Sequence, residues 1–233
     1  MIDQRSLGKR AAARAVADSV KTGQRLGLGT GSTVTFFLER LAERVAEEGL
    51  RIVGVPTSEP TSIRARELGL PLGSLDAIES LDLAVDGADE VDPQLDLIKG
   101  GGAALTREKI VAAAAARFVV IVDETKLVAR LGASFRLPIE VLPFGWRQSS
   151  ARIAALGLRN ELRREADSQP LRTDNGNYVL DAVLGPCEDL RALELELDAI
   201  PGVLECGLFV GMADEAWIGG ADGSVRVIHR PSR

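Results

Sequence analysis

Two short runs hold most of the side chains in this sequence that could do chemistry: Asp86-Gly-Ala-Asp-Glu-Val-Asp92 and Lys99-Gly-Gly-Gly-Ala-Ala-Leu-Thr-Arg-Glu-Lys109. The first sets the carboxylates of Asp86 and Asp89 just past an apolar segment, Leu81-Asp-Leu-Ala-Val85. The second sets Lys99 beside Gly100, Gly101 and Gly102, with Glu108 early in the helical segment that follows. Carboxylates move protons, a lysine balances developing negative charge, and bare glycine backbone brings amides against an oxyanion. Together these are the ingredients of proton transfer on an anionic substrate. Each also has a plainer use. Asp-Gly pairs form turns, an acid in a first helical turn suits the helix dipole, and Glu90 and Asp92 read as solvated. Three glycines in a row, however, cost backbone entropy that a simple turn does not need.

A third run, Gly27-Leu-Gly-Thr-Gly-Ser-Thr33, joins an expected strand to an expected helix. It lacks the third glycine of a dinucleotide fingerprint and the Gly-Lys-Ser/Thr ending of a P-loop. Two readings stand for it. Its amides and hydroxyls, from Thr30 to Thr33, can surround a phosphate at the helix N-terminus, or it is a tight turn capped by Ser32 or Thr33. In Asp123-Glu-Thr-Lys126, Lys126 is either a second anion-facing cation or a solvated lysine. Of 28 basic residues, only Lys9, Lys21, Lys99, Lys109 and Lys126 are lysines, and lysine and arginine are not interchangeable at a compact anion site. The single histidine, His229, lies near the tail, which leaves chemistry near neutral pH to carboxylates and lysines. The pKa values of those groups would then be set by burial.

The elements that must position these groups alternate. Residues 5–22 read as a helix, 25–29 as a strand, 33–48 as a helix, 51–55 as a strand and 58–68 as a helix. Strands at 81–85 and 95–98, a helix at 103–116 and a strand at 118–122 follow. Such alternation predicts a parallel sheet covered by helices on both faces. From Pro138 the order becomes strand 139–142, helix 146–156, strands 159–164 and 177–183, helix 188–199 and strand 203–208. That βαββαβ order predicts a second, smaller sandwich, with Asp174-Asn-Gly-Asn177 as its hairpin turn. The stretch around Val225–Ile228 is expected to return to the first domain. The expected division is therefore 1–131 plus 206–233, and 132–205.

Composition narrows the function. With 45% hydrophobic but only 4% aromatic residues, the core must be aliphatic, which suits a buried parallel sheet. A net charge of −6 argues against a nucleic-acid surface, which calls for a basic face. Cys187 and Cys206 are too few for a disulfide framework and fit no metal spacing, so a reducing cytoplasm is expected. No apolar run approaches a membrane span. The Arg- and Ala-rich stretch 5–14 has the composition of a transit peptide, but it leads straight into a strand and reads as an amphipathic first helix.

With those residues together, the chain closely resembles ribose-5-phosphate isomerase of type A. The matching segments are Gly29–Thr33, Val55-Pro-Thr-Ser58, Asp86–Glu90, Ile98–Lys109, Val122–Lys126, Pro138-Ile-Glu-Val-Leu-Pro143 and Thr173–Asn177. They occur in order over nearly the whole chain, and the Lys99–Lys109 run is the most specific; the part after Phe209 matches less well. The resemblance implies an α/β fold in which a Rossmann-like parallel-sheet domain carries a smaller ferredoxin-like α+β domain. It implies a homodimer or homotetramer needing neither metal nor organic cofactor, and a pentose 5-phosphate substrate. Carried over by motif, Glu108 is the base, while Asp86, Gly87, Ala88, Asp89, Lys99 and Gly100–Gly102 surround the reacting end of the sugar. Thr30, Gly31, Ser32, Thr33 and Lys126 hold the substrate, chiefly its phosphate. Lys9 falls where that family often has a phosphate-facing lysine.

The implied reaction interconverts D-ribose 5-phosphate and D-ribulose 5-phosphate through a cis-enediolate, with Asp86 or Asp89 opening the ring. Two other readings are compatible with parts of the sequence. One is a related sugar-phosphate enzyme such as an amino-sugar phosphate deaminase, which an amino-sugar assay separates. The other is a non-catalytic sugar-phosphate sensor, expected to carry a DNA-binding helix-turn-helix for which the residues before Arg25 leave no room.

Overall fold

Short aliphatic runs bounded by glycine and polar turns form the strands of this protein, and amphipathic stretches between them form its helices. The computed structural model describes residues 4–231. The chain begins with α1 (Gln4–Ser19), β1 (Arg25–Leu28), α2 (Ser32–Glu48), β2 (Val53–Pro56), α3 (Glu59–Glu67) and β3 (Leu83–Asp86). It continues with β4 (Glu90–Val91), β5 (Leu97–Ile98), α4 (Leu105–Ala113), β6 (Phe118–Asp123) and a single 3₁₀ turn, Glu124–Lys126. Then come β7 (Leu137–Val141), α5 (Trp146–Ala155), β8 (Asn160–Leu162), β9 (Tyr178–Ala182) and α6 (Leu190–Asp198). The last strands are β10 (Val203–Cys206), β11 (Leu208–Phe209), β12 (Glu215–Gly219) and β13 (Val225–His229).

The chain divides into two compact units. The first holds the described residues up to Ala88, Arg107–Leu127 and those from Met212 on; the second holds Asp89–Thr106 and Val128–Gly211. These limits differ from the expected 1–131 plus 206–233 and 132–205. The reason is a small sheet that sequence patterning did not show, in which β11, β5 and β4 pair through Leu208↔Ile98 and Glu90↔Ile98. It draws residues 89–106 and 206–211 into the second unit.

In the first unit a six-stranded sheet runs β13-β12-β6-β3-β1-β2. All neighbours are parallel except β12 and β13. From β1 the chain goes to β2 on one side and returns to β3 on the other, so strand order reverses between β1 and β3. In open α/β sheets such a reversal leaves a crevice at the C-terminal strand ends, where ligands bind. Helix α2 buries Val34, Phe37, Leu38 and Leu41, the i, i+3, i+4, i+7 spacing of a core-facing stripe, and ends at Gly49 with φ 68°, the left-handed stop that glycine adopts without penalty. Phe37, Leu26, Leu28 and Leu41 are fully buried, each contributing about 1.5–3 kcal/mol relative to exposure.

In the second unit a four-stranded antiparallel sheet runs β10-β7-β9-β8. With α5 and α6 it follows the order expected of a ferredoxin-like unit, and its core includes Ile139, Ile153, Leu180, Leu193 and Leu197. Asp189 starts α6 by accepting a hydrogen bond from the Ala192 amide at 2.9 Å. No described helix is long and apolar enough to cross a membrane.

Candidate active site

In the first unit the expected residues follow the C-terminal ends of adjacent parallel strands. Leu28 and Val85 are in register, so the turns after β1 and β3 leave the sheet side by side. Asp86, 3% exposed, ends β3. Its Oδ1 accepts hydrogen bonds from the Thr30 amide at 2.9 Å and from the Gly87 amide at 2.7 Å. A Cβ at Gly29 would stand 2.1 Å from that same oxygen. Only glycine lets the two turns close on each other. Glu108, 4% exposed, lines the same narrow void as Asp86, Gly29 and Thr57. Asp86 and Glu108 are thus two buried acids lining one void.

The Gly/Ser/Thr turn leads into α2, whose N-cap is Gly31 at φ 110° with no side-chain cap. Neither Ser32 nor Thr33 caps the helix, as one reading expected. The Ser32 hydroxyl accepts a hydrogen bond from Lys9 Nζ at 3.0 Å, which brings a cation from α1 to the N-terminus of α2. Uncapped amides, the helix dipole and an ammonium group favour an anion there. The Thr30 hydroxyl lies 2.8 Å from those of Thr57 and Ser58, and Thr61 donates to the Gly29 carbonyl at 2.8 Å. These hydroxyls, from the end of β2 and the start of α3, fix the loop. Sequence reasoning gave none of the three a role, although Thr57 and Ser58 stood in a matching segment. Lys126 lies in the 3₁₀ turn after β6, half-buried, with Asp123 accepting from the Thr125 amide at 2.9 Å to start that turn.

In the second unit Asp89 donates its amide to the Ile98 carbonyl at 2.8 Å, and its Oδ2 accepts the Gly101 amide at 2.7 Å. One amide of the glycine turn is thus already engaged by an expected site carboxylate. Lys99, 2% exposed, ties its amide to the Gly207 carbonyl at 2.9 Å, and its Nζ stands 5.5 Å from the centre of the Phe209 ring. Gly100 has φ 105° and Ala103 has φ 58°. The latter closes the turn by donating its amide to the Gly100 carbonyl at 3.0 Å.

Two further acids of this unit behave differently. Glu90, expected to be solvated, is fully buried and accepts from the amides of Gly132, Ser134 and Phe135 at 2.5–2.7 Å, and from the Ser134 hydroxyl at 2.8 Å. Asp92 is also buried and accepts from the amides of Gln94 and Asp96, each at 2.9 Å. Both corrections have one cause: these acids satisfy backbone donors of loops that have no strand to pair with. Glu140 on β7, fully buried, accepts from Thr106 at 2.5 Å, Thr173 and Asn177 at 2.8 Å, and Asn175 at 3.2 Å. The Thr173–Asn177 run therefore does more than turn a hairpin.

The family model for ribose 5-phosphate isomerase A (phosphoriboisomerase A) matches residues 53–223. A ribose-5-phosphate isomerase A of Synechococcus sp. strain JA-3-3Ab is 50% identical over 216 residues, covering 92% of this chain and 94% of the relative. The chain belongs to the ribose-5-phosphate isomerase A family. Solved structures agree with that membership. A D-ribose-5-phosphate isomerase in complex with phospho-erythronic acid is 42% identical, with a TM-score of 0.92 over 95% of this chain and 97% of that one. The Plasmodium falciparum ribose 5-phosphate isomerase is 36% identical, with a TM-score of 0.93 over 98% of this chain and all of that one. Both the Rossmann-like and the ferredoxin-like sheets expected of a ribose-5-phosphate isomerase A are present.

Proposed function

We infer that this protein interconverts D-ribose 5-phosphate and D-ribulose 5-phosphate through a cis-enediolate. The observation that carries the reading is the withdrawal of Glu108 beside Asp86 at the strand-order reversal, in a chain of the ribose-5-phosphate isomerase A family. Glu108 removes the proton from C2 and returns it to C1. Asp86 or Asp89 opens the furanose by moving a proton between ring oxygen and hydroxyl. Lys99 and the amides of Gly100 and Gly102 hold the negative charge that develops on the two oxygens, with Gly87 and Ala88 lining the sugar. Gly101 contributes by orienting Asp89, the partner of its amide. Thr30, Gly31, Ser32 and Thr33 take the phosphate, joined by Lys9 and Lys126.

A relative of this fold was solved with phospho-erythronic acid. A carboxylate next to a hydroxylated carbon has the planar, anionic end of an enediolate, which suits the charge-holding groups named above. The reaction is expected in the cytoplasm, where cysteines outside disulfides such as Cys187 and Cys206 are stable, and in a homodimer or homotetramer, as the family resemblance implies. The test is to incubate the purified, chelator-treated protein with ribose 5-phosphate and follow the sugars by NMR. Ribulose 5-phosphate should accumulate to a fixed ratio. A protein that binds the aldose but forms no ketose overturns the reading.

A further inference from the structure

Arg163, just after β8, is half-buried and has a role that neither the motif resemblance nor the reaction assigned. Its Nε and Nη2 grip Asp181 of β9 at 2.9 and 2.5 Å, a bidentate pair. Its Nη1 reaches the carbonyls of Gly100 and Gly101 at 2.9 and 3.1 Å. Both side chains of the pair are largely shielded, at 14% and 18% exposed. Such a fork is rigid and always charged, and its hydrogen bonds are stronger than those between neutral groups.

The turn is also held by the Ala103 amide on the Gly100 carbonyl and by Asp89 on the Gly101 amide, and Arg163 adds the clamp on both carbonyls. Three consecutive glycines leave the backbone more freedom than any other sequence, and Gly101 and Gly102 are exposed. Fixing the two carbonyls fixes the peptide planes on which they sit. The Gly101 amide is bound to Asp89 Oδ2, so the orientation of that plane carries through to the carboxylate. The chain of contacts runs Asp181, Arg163, the Gly100 and Gly101 carbonyls, the Gly101 amide and Asp89, and it lies wholly in the second unit.

We propose that Arg163, anchored by Asp181, is a positioning residue for isomerisation: it locks the glycine turn so that its amide edge and Asp89 are set before substrate arrives. The proposal rests on the isomerase reading given above. Preset donors matter most where charge develops, and a displacement of about 1 Å at such a site can cost on the order of a hundredfold in rate. Phosphate binding by Lys9 and the Thr30–Thr33 turn does not involve Arg163, so loss of the clamp acts on turnover.

The experiment compares wild-type, Arg163→Met, Arg163→Lys, Arg163→Ala and Asp181→Asn proteins with ribose 5-phosphate, with melting temperatures measured alongside. Arg163→Met should lose about tenfold to a hundredfold in kcat with KM within about threefold. Arg163→Lys should fall between it and wild type, and methylguanidinium should restore part of the kcat of Arg163→Ala. A folded Arg163→Met with kcat within about twofold of wild type overturns the proposal, as does a change in KM alone. If Arg163→Met does not fold, Asp181→Asn decides: a severalfold loss of kcat supports the clamp, and an unchanged kcat overturns it. A wild-type protein that forms no ribulose 5-phosphate overturns the isomerase reading itself, whereas an active wild type with indifferent variants overturns only the role of Arg163.

Discussion

The two aspartates of the Asp86–Asp89 turn are held in different ways. Asp86 ends a strand inside a parallel sheet, and the Thr30 and Gly87 amides that grip it belong to turns whose position follows from strand register. Asp89 is gripped by one glycine amide, and that glycine is braced by an arginine from elsewhere in the second unit. Around Asp86 precision comes from hydrogen-bonded β-structure. In the second unit charged side chains tie down irregular backbone: Arg163 for the glycine turn, Glu90 for residues 132–135 and Glu140 for the Thr173–Asn177 hairpin. Burial alone therefore does not distinguish a reactive acid from a structural one. Glu90 and Glu140 are fully surrounded by donors that belong to the fold.

The sharpest way to test that contrast is to set Glu108 against Glu140. Glu108→Gln should lower kcat by about a hundredfold or more in the ribose 5-phosphate assay while shifting unfolding free energy by less than about 1 kcal/mol. Glu140→Ala should do the opposite in urea unfolding. It leaves the Thr106, Thr173, Asn175 and Asn177 donors without their acceptor and should cost about 3 kcal/mol or more. Equal stability losses in the two variants would break the distinction. Lys9→Met should have a smaller effect, raising KM for ribose 5-phosphate about tenfold with kcat within about twofold, because it acts on phosphate binding only. A kcat effect as large as the KM effect would remove Lys9 from the phosphate site.

The smallest effect concerns Glu215, on the sheet of the first unit. Burial alone would raise its carboxyl, but hydrogen bonds from Arg117 and Trp217 and the charges of Arg117 and His229 outweigh it and hold the group below the usual carboxylate range. A group depressed in the folded state stabilises the protein above its ordinary pKa, and that contribution is lost as pH falls through the folded value. Glu215→Gln should therefore flatten the decline in melting temperature below about pH 4.5 and leave kcat at neutral pH unchanged. An unaltered acid limb would show that Arg117 and Glu215 contribute nothing to stability.

Much of this was legible in the sequence because it was local. Uninterrupted aliphatic runs such as Phe118–Val122 marked strands, the Val34–Leu41 spacing marked α2, and glycines beside acids marked the strand-end turns. Strand β12, Glu-Ala-Trp-Ile-Gly from 215 to 219, escaped notice because its membership comes from pairing with β6 through Glu215↔Val119 to Gly219↔Asp123, not from its own pattern. Strands β4 and β11 have two residues each, too few for any periodicity to show, whereas β5 falls inside the strand expected at 95–98. The burial of Glu90 was hidden for the same reason, since its donors lie more than forty residues away. Arg163 stood among many arginines, and nothing nearby in sequence pointed to Gly100.

The central claim is that Glu108 carries a proton between C2 and C1 of a bound pentose phosphate, and isotope transfer in heavy water tests it most directly. Wild-type protein incubated with ribose 5-phosphate in heavy water should yield ribulose 5-phosphate with deuterium at C1, seen by NMR. Glu108→Gln, folded and still binding ribose 5-phosphate, should incorporate deuterium at least about a hundredfold more slowly. Incorporation at the wild-type rate in that variant would contradict the account and pass the base to another residue.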